Sequence, residues 1–215
     1  MTYHSTSKDL NYFPPLLGNG DLTFAPDCQG VLDYTARDFG KECTYTTFDG
    51  AVFRAGRRFP VYPDRAPARI LAFGRFFFDS GLELLDWRQE LSVVTGTVSS
   101  NCRYSDGMEI VSECFIHERD NLYALRKTFS GFSGEQKVEF SYSLCGYDDF
   151  TTDALTLDNA DIGANGADLN FRAWGQNLYT GRVSVSLDRP AEVSVEGKNV
   201  VLRATVRAGE SLTFF

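Results

Sequence analysis

The stretch Val98-Ser99-Ser100-Asn101-Cys102-Arg103-Tyr104-Ser105-Asp106-Gly107-Met108-Glu109-Ile110-Val111-Ser112-Glu113-Cys114-Phe115-Ile116-His117 decides the fold. Val98, Ser100, Cys102 and Tyr104 fall on one phase of a two-residue period. Ser105-Asp106-Gly107 then turns the chain, and Ile110, Ser112, Cys114 and Ile116 return on one face, with Val111, Glu113, Phe115 and His117 on the other. Successive side chains of a strand point to opposite faces, so this alternation around an Asp-Gly turn predicts an antiparallel hairpin.

The same pattern continues outward. Leu122–Leu125 and the run Val138, Phe140, Tyr142, Leu144 read as two further strands, separated by Ser130-Gly131-Phe132-Ser133-Gly134. Val183, Val185 and Leu187 alternate with serines. Val193 and Val195 lead into Glu196-Gly197-Lys198-Asn199, Val200, Leu202, Ala204 and Val206 return, and Ala208-Gly209-Glu210 precedes a last strand over 211–215. Only at 80–91 does a helix compete, with Leu84, Leu85, Trp87 and Leu91 able to share a face, and the strand is preferred. Between Gly146 and Asn170 there are six Asp and no Lys or Arg, which reads as a solvated acidic loop; its spacing does not fit an EF-hand. No repeat or linker divides the chain. The expectation is one all-β domain over 1–215, with residues 1–10 a mobile N-terminal segment.

Composition narrows the partners. The 215 residues carry 21 Lys+Arg against 29 Asp+Glu, so the net charge is 21 − 29 = −8, which disfavours nucleic acid. No apolar run approaches the roughly 18 residues that cross a bilayer. Phe, Tyr and Trp make 14% of the chain, a mixture that suits sheets. The first eight residues lack the basic-then-apolar pattern of a secretory signal, so a cytoplasmic location is expected. Five cysteines without a C-x-x-C, and only two histidines, make a poor disulfide framework and a poor zinc site. Neither a metal nor another cofactor is expected.

The chain offers little chemistry of its own. Gly131-Phe132-Ser133-Gly134 is one residue short of a nucleophile elbow and lies between strands rather than before a helix. Asp86 and Glu90 would share a face only if helical, and no phosphate-binding glycine motif is present. The most unusual local feature is basic: Arg54, Arg57, Arg58, Arg65, Arg69 and Arg75 fall within 22 residues in which Asp64 is the sole acid. Arginine's planar fork suits interfaces, so Arg54, Arg57 and Arg58 are candidates for an interdomain or subunit contact.

Three motifs in order carry a family resemblance: Phe13-Pro14-Pro15-Leu16-Leu17-Gly18-Asn19-Gly20-Asp21-Leu22; Asp86-Trp87-Arg88-Gln89-Glu90-Leu91-Ser92-Val93-Val94-Thr95-Gly96-Thr97-Val98; and Phe115-Ile116-His117-Glu118-Arg119-Asp120-Asn121-Leu122-Tyr123-Ala124-Leu125-Arg126. Together they resemble the N-terminal domain of glycoside hydrolase families 65 and 95. The resemblance implies a large two-sheet antiparallel β super-sandwich like that of galactose mutarotase, placed before an (α/α)₆ barrel that carries the catalytic carboxylates. It brings over no catalytic residue. What it implies is a non-catalytic domain of a glycoside hydrolase or phosphorylase, whose partners are the barrel, in the same or another chain, and carbohydrate, with a homo-oligomer allowed. Asn19, Trp87, Arg88 and Trp174 are then candidates for a sugar-facing or barrel-facing surface. Two alternatives stay open: a free-standing carbohydrate-binding module, and a mutarotase or epimerase relying on His117.

Overall fold

The computed structural model describes residues 2–5, 14–19, 22–31, 52–53, 71–72, 74–145, 155–173 and 179–215. Among them the chain is built from antiparallel strands, with a single 3₁₀ turn at Ser105–Gly107 and no α-helix. In chain order the strands are β1 (Thr2–Ser5), β2 (Leu17–Gly18), β3 (Leu22–Phe24), β4 (Val52–Phe53), β5 (Leu71–Ala72), β6 (Arg75–Asp79), β7 (Leu84–Ser92), β8 (Thr97–Tyr104) and β9 (Glu109–Ile116). They continue with β10 (Tyr123–Ser130), β11 (Glu135–Ser143), β12 (Leu155–Ile162), β13 (Gly166–Ala173), β14 (Tyr179–Ser186), β15 (Glu192–Glu196), β16 (Asn199–Arg207) and β17 (Ser211–Phe214).

The deciding stretch folds as its alternation requires. In β8 and β9 Val98, Ser100, Cys102, Tyr104, Ile110, Ser112 and Cys114 are buried while Asn101, Arg103, Glu109 and Glu113 are exposed. Asp106 and Gly107 adopt φ of 63° and 82°, the left-handed pair that matches a hairpin turn to strand twist. Strand order in the large sheet is β1-β7-β8-β9-β10-β17, faced by a four-stranded sheet β15-β16-β11-β6. The inner faces meet through aromatic rings. Phe214 on β17 stacks on Phe76 of β6 and Phe140 of β11, with centroids 5.1 and 5.5 Å away, and Phe129 on β10 meets Phe78 on β6 at 6.4 Å. Such contacts between the sheets make this a two-layer sandwich with one continuous core. A three-stranded sheet β12-β13-β14 joins the large one where Leu187 bridges Phe214 and Ser186 and Phe215 exchange backbone hydrogen bonds at 3.0 and 2.9 Å.

Two expectations are corrected. Residues 2–5 are not a mobile terminus: β1 pairs in antiparallel register with β7, from Thr2 opposite Glu90 to Ser5 opposite Trp87. The acidic segment is a loop only in part, since its residues from Leu155 onward form β12 and most of β13, which pair from Leu155 opposite Ala173 to Ile162 opposite Ala167. Its charge is met by arginines of the same sheet: Asp158 by Arg172 at 2.7 Å and Asp168 by Arg182 at 2.5 Å. Ser184 also donates to Asp168, and these two hydrogen bonds hold the Asp168 carboxyl below its ordinary range. At 84–91 the chain is strand, with Trp87 and Gln89 buried and Arg88 and Glu90 exposed. A register shift between Leu84 and Asp86 interrupts the two-residue strand period, which is why a helix competes there in the sequence.

Candidate functional site

Two of the three sequence motifs meet at one side chain. Asn19 sits in the turn joining β2 to β3, where its Oδ1 accepts from Leu22 N at 2.8 Å and its backbone N–H donates to Leu22 O at 3.2 Å. Its Nδ2 reaches across to the loop between β9 and β10, donating to His117 O and Asp120 O, both at 3.1 Å, and to Asn121 Oδ1 at 3.3 Å. Asparagine is suited to this: one amide offers a carbonyl to its own turn and an NH₂ to the other. The gripped loop is polar and exposed from Glu118 to Asn121. His117 Nδ1 lies 3.2 Å from Asp120 N and 3.1 Å from Asp120 Oδ2. A neutral ring accepts the backbone N–H; a protonated ring donates to the carboxylate instead.

A second polar cluster lies inside the sandwich. Gln89, Ser100, Ser112 and Lys127 are directly opposite one another on β7, β8, β9 and β10, and all four are buried. This polar rung crosses an otherwise apolar sheet face because a loop, Pro26–Val31, is packed against it. Gln89 Nε2 donates to Asp27 O at 2.6 Å and Cys102 Sγ to Cys28 O at 3.1 Å. Tyr104 donates to Gln29 Oε1 and Tyr123 to Gly30 O, both at 2.7 Å. Lys127 Nζ donates to Gln29 O at 2.6 Å and Ser112 Oγ at 2.9 Å, with its ammonium 4.2 Å from the centre of the Phe78 ring. The Asp27 carboxylate accepts from Gln29 N and Val31 N, closing the loop on itself. A loop inside a core is tolerated only when its backbone groups are satisfied, and this rung satisfies them.

Burial governs the chemistry of this cluster. It lowers Lys127 from 10.5 to about 8, against the pull of Cys102 and Asp27 toward the charged form. It pushes the Cys114 thiol up to about 12 and both the Tyr104 and Tyr123 phenols well above their ordinary range. The Cys28 thiol is raised first by its hydrogen bond with Cys102 and then by burial. At neutral pH these thiols and phenols stay protonated, so none is primed as a nucleophile. Among the described residues no group of three or more His, Cys, Asp or Glu could hold a metal ion. The cluster is a fastening for the loop.

The residues singled out for a sugar-facing or barrel-facing surface fall in different places. Asn19 is half-buried in the clasp, and Arg88 points outward from β7, 3.8 Å from Glu90. Trp87 departs from the expectation: its side chain faces inward and is 4% exposed, so its ring is not offered to a ligand at the surface. Trp174, Arg54, Arg57 and Arg58 lie outside the described residues. The sequence had a signal for the missed rung, in that Ser100, Ser112 and Lys127 share the buried phase of their strands with Val98, Cys114 and Leu125.

No family model and no curated protein matches this sequence. Among solved structures, a protein described as a kojibiose phosphorylase from the human microbiome is similar in fold, with a TM-score of 0.54 and 11% sequence identity over 67% of this chain. The chain spans 22% of that protein's length. At this identity the likeness is one of fold alone, an antiparallel β-sandwich. Among the described residues no helix is long and apolar enough to cross a membrane.

Proposed function

We propose that this chain is the non-catalytic β-sandwich part of a glycoside hydrolase or phosphorylase, packing on a catalytic helical barrel and shaping its substrate mouth. The observation that carries the reading is the structural likeness to a much longer phosphorylase, of which this chain spans 22%. The Asn19 clasp supports it, because it gives a shared physical purpose to the two motifs that resemble family 65 and 95 sandwiches. In this reading Asn19 and the loop it grips, with Arg88, belong to the surface turned toward the barrel or sugar. Arg54, Arg57 and Arg58 are proposed, from their sequence pattern, for an interdomain or subunit contact.

The test is to assay the chain alone, and then with its barrel domain, for hydrolysis and phosphorolysis of disaccharides and for anomer interconversion of monosaccharides. The expected result is turnover only in the presence of the barrel. Turnover by the chain alone overturns the reading and would revive a mutarotase built on His117. Saturable, sugar-specific NMR shifts at Asn19 and Arg88, without any barrel to bind, would favour a free-standing carbohydrate-binding module instead.

A further inference from the structure

The buried loop brings two thiols together. Cys28, in the Pro26–Val31 loop, and Cys102, on the inner face of β8, are 0% and 1% exposed. Cys102 Sγ donates to the Cys28 carbonyl at 3.1 Å, and the Cys102 side chain is close enough to push the Cys28 thiol up. The other described cysteines are placed elsewhere. Cys102 is opposite Ile110 and Cys114 is opposite Val98, so the two are separated by four positions along the strands, about 13 Å, beyond disulfide reach. Cys145 follows β11 in the facing sheet. Among the four described cysteines the geometry selects one pair; Cys43 lies outside the described residues.

We propose that Cys28 and Cys102 are a latent disulfide, a redox-driven latch that bolts the central loop to the inner face of the large sheet. With a small-molecule disulfide such as oxidised glutathione as oxidant, one cysteine thiolate attacks a sulfur of the oxidant and expels one glutathione thiolate. The second cysteine thiolate then displaces the other glutathione and forms the S–S bond. Two protein thiols are oxidised, one small disulfide is reduced to two thiols, and the two protons lost by the protein are taken up by the departing thiolates. Both thiols are buried and sheltered from solvent in the closed state. The latch therefore closes while the loop is docking during folding, or when it lifts. Once formed, the bond ties residue 28 to residue 102 and restricts the unfolded chain between them, shifting the unfolding equilibrium on the order of a thousandfold. The inference does not depend on the carbohydrate reading.

The test refolds the whole chain from denaturant in a glutathione redox buffer, followed by digestion without reductant and mass spectrometry. The expected product is two hydrogens lighter, carries one cross-link joining Cys28 to Cys102, and unfolds at higher denaturant until a thiol reductant is added. Cys114→Ala should keep the cross-link and Cys28→Ala should lose it. The inference is overturned if every thiol of the refolded wild type remains open to alkylation, or if cross-links scatter over Cys43, Cys114 and Cys145. A Cys28–Cys102 bond that leaves denaturant resistance unchanged overturns it equally.

Discussion

Replacing Lys127 by Met removes the only amine in the polar rung while preserving most of its volume. In the folded chain Lys127 is held at about 8, against 10.5 when unfolded. At about 1.4 kcal/mol per pH unit, that gap is worth about 3 kcal/mol. The folded state binds fewer protons than the unfolded one between these two values, so stability from this residue rises as pH climbs from 8 to 10.5. It is fully present above 10.5 and lost as pH falls through 8. Burial-raised thiols and phenols act oppositely, since Cys114, Tyr104 and Tyr123 keep their protons when folded and release them more readily when unfolded. Their effect is common to wild type and variant and cancels in the difference. Urea unfolding of both proteins at about pH 7.5 and about pH 10.5 should therefore show the stability difference moving in favour of wild type by about 3 kcal/mol. At the higher pH the variant should be clearly the weaker, because Gln29 O and Ser112 Oγ have lost their donor, at about 1–3 kcal/mol for a buried group left unsatisfied. A difference that stays constant to within about 1 kcal/mol across this range would refute the assignment of Lys127 as a charge held in the core.

Six further substitutions at five positions probe other parts of the molecule. Asn19→Ala should lower urea stability by about 2 kcal/mol through loss of the clasp, and Asn19→Asp should be no better, since its oxygen would replace a donor that faces two carbonyls. At Gly131 an added Cβ would stand 2.2 Å from Gly107 O at φ +80°, whereas at Gly134, φ +81°, it would meet nothing within 4 Å. Thermal melts should accordingly show Gly131→Ala losing roughly 2–4 kcal/mol and Gly134→Ala about 1 kcal/mol. Phe214→Ala should cost about 3–5 kcal/mol in denaturant unfolding by opening the stack between the sheets. Val94→Lys, at a hairpin tip where the side chain is 97% exposed, should leave stability within about 0.5 kcal/mol.

The parts of the fold that were legible in the sequence are those where one period runs undisturbed. From Val98 to Cys114 one two-residue phase stays buried through both strands, with only the Asp-Gly turn between them, and both strands and the turn follow from that. At β7 the register shift near Leu84 interrupts the period, so helix and strand compete until pairing with β1 and β8 settles the matter. In β12 and β13 the alternation of Leu155 with Leu157, and of Ala167 with Leu169 and Phe171, is real. It is masked by aspartates whose arginine partners sit on a neighbouring position or the next strand. The rung was hidden for a different reason: Gln89, Ser100, Ser112 and Lys127 are polar residues on buried phases, and only the loop laid against them explains why. Of the surface candidates, Asn19 could be read from its motif as a turn residue, but its grip on a loop about a hundred positions away depends on tertiary structure. Trp87 shows the converse, a large aromatic whose motif context said nothing about which face it takes.

The position of β17 has a consequence for biosynthesis. It lies beside β10 in the large sheet, with Leu125 opposite Phe214, and it also carries the bridge to the three-stranded sheet. As the chain leaves the ribosome, β7 to β10 can assemble as a meander, but β10 must wait with an open edge until residues 211–214 emerge. Contacts of such long sequence separation form slowly, and an unpaired edge is a template for joining another chain. The nascent protein is therefore most vulnerable in the interval between synthesis of its middle and its last described strand, and that interval is where a chaperone would have the most to protect.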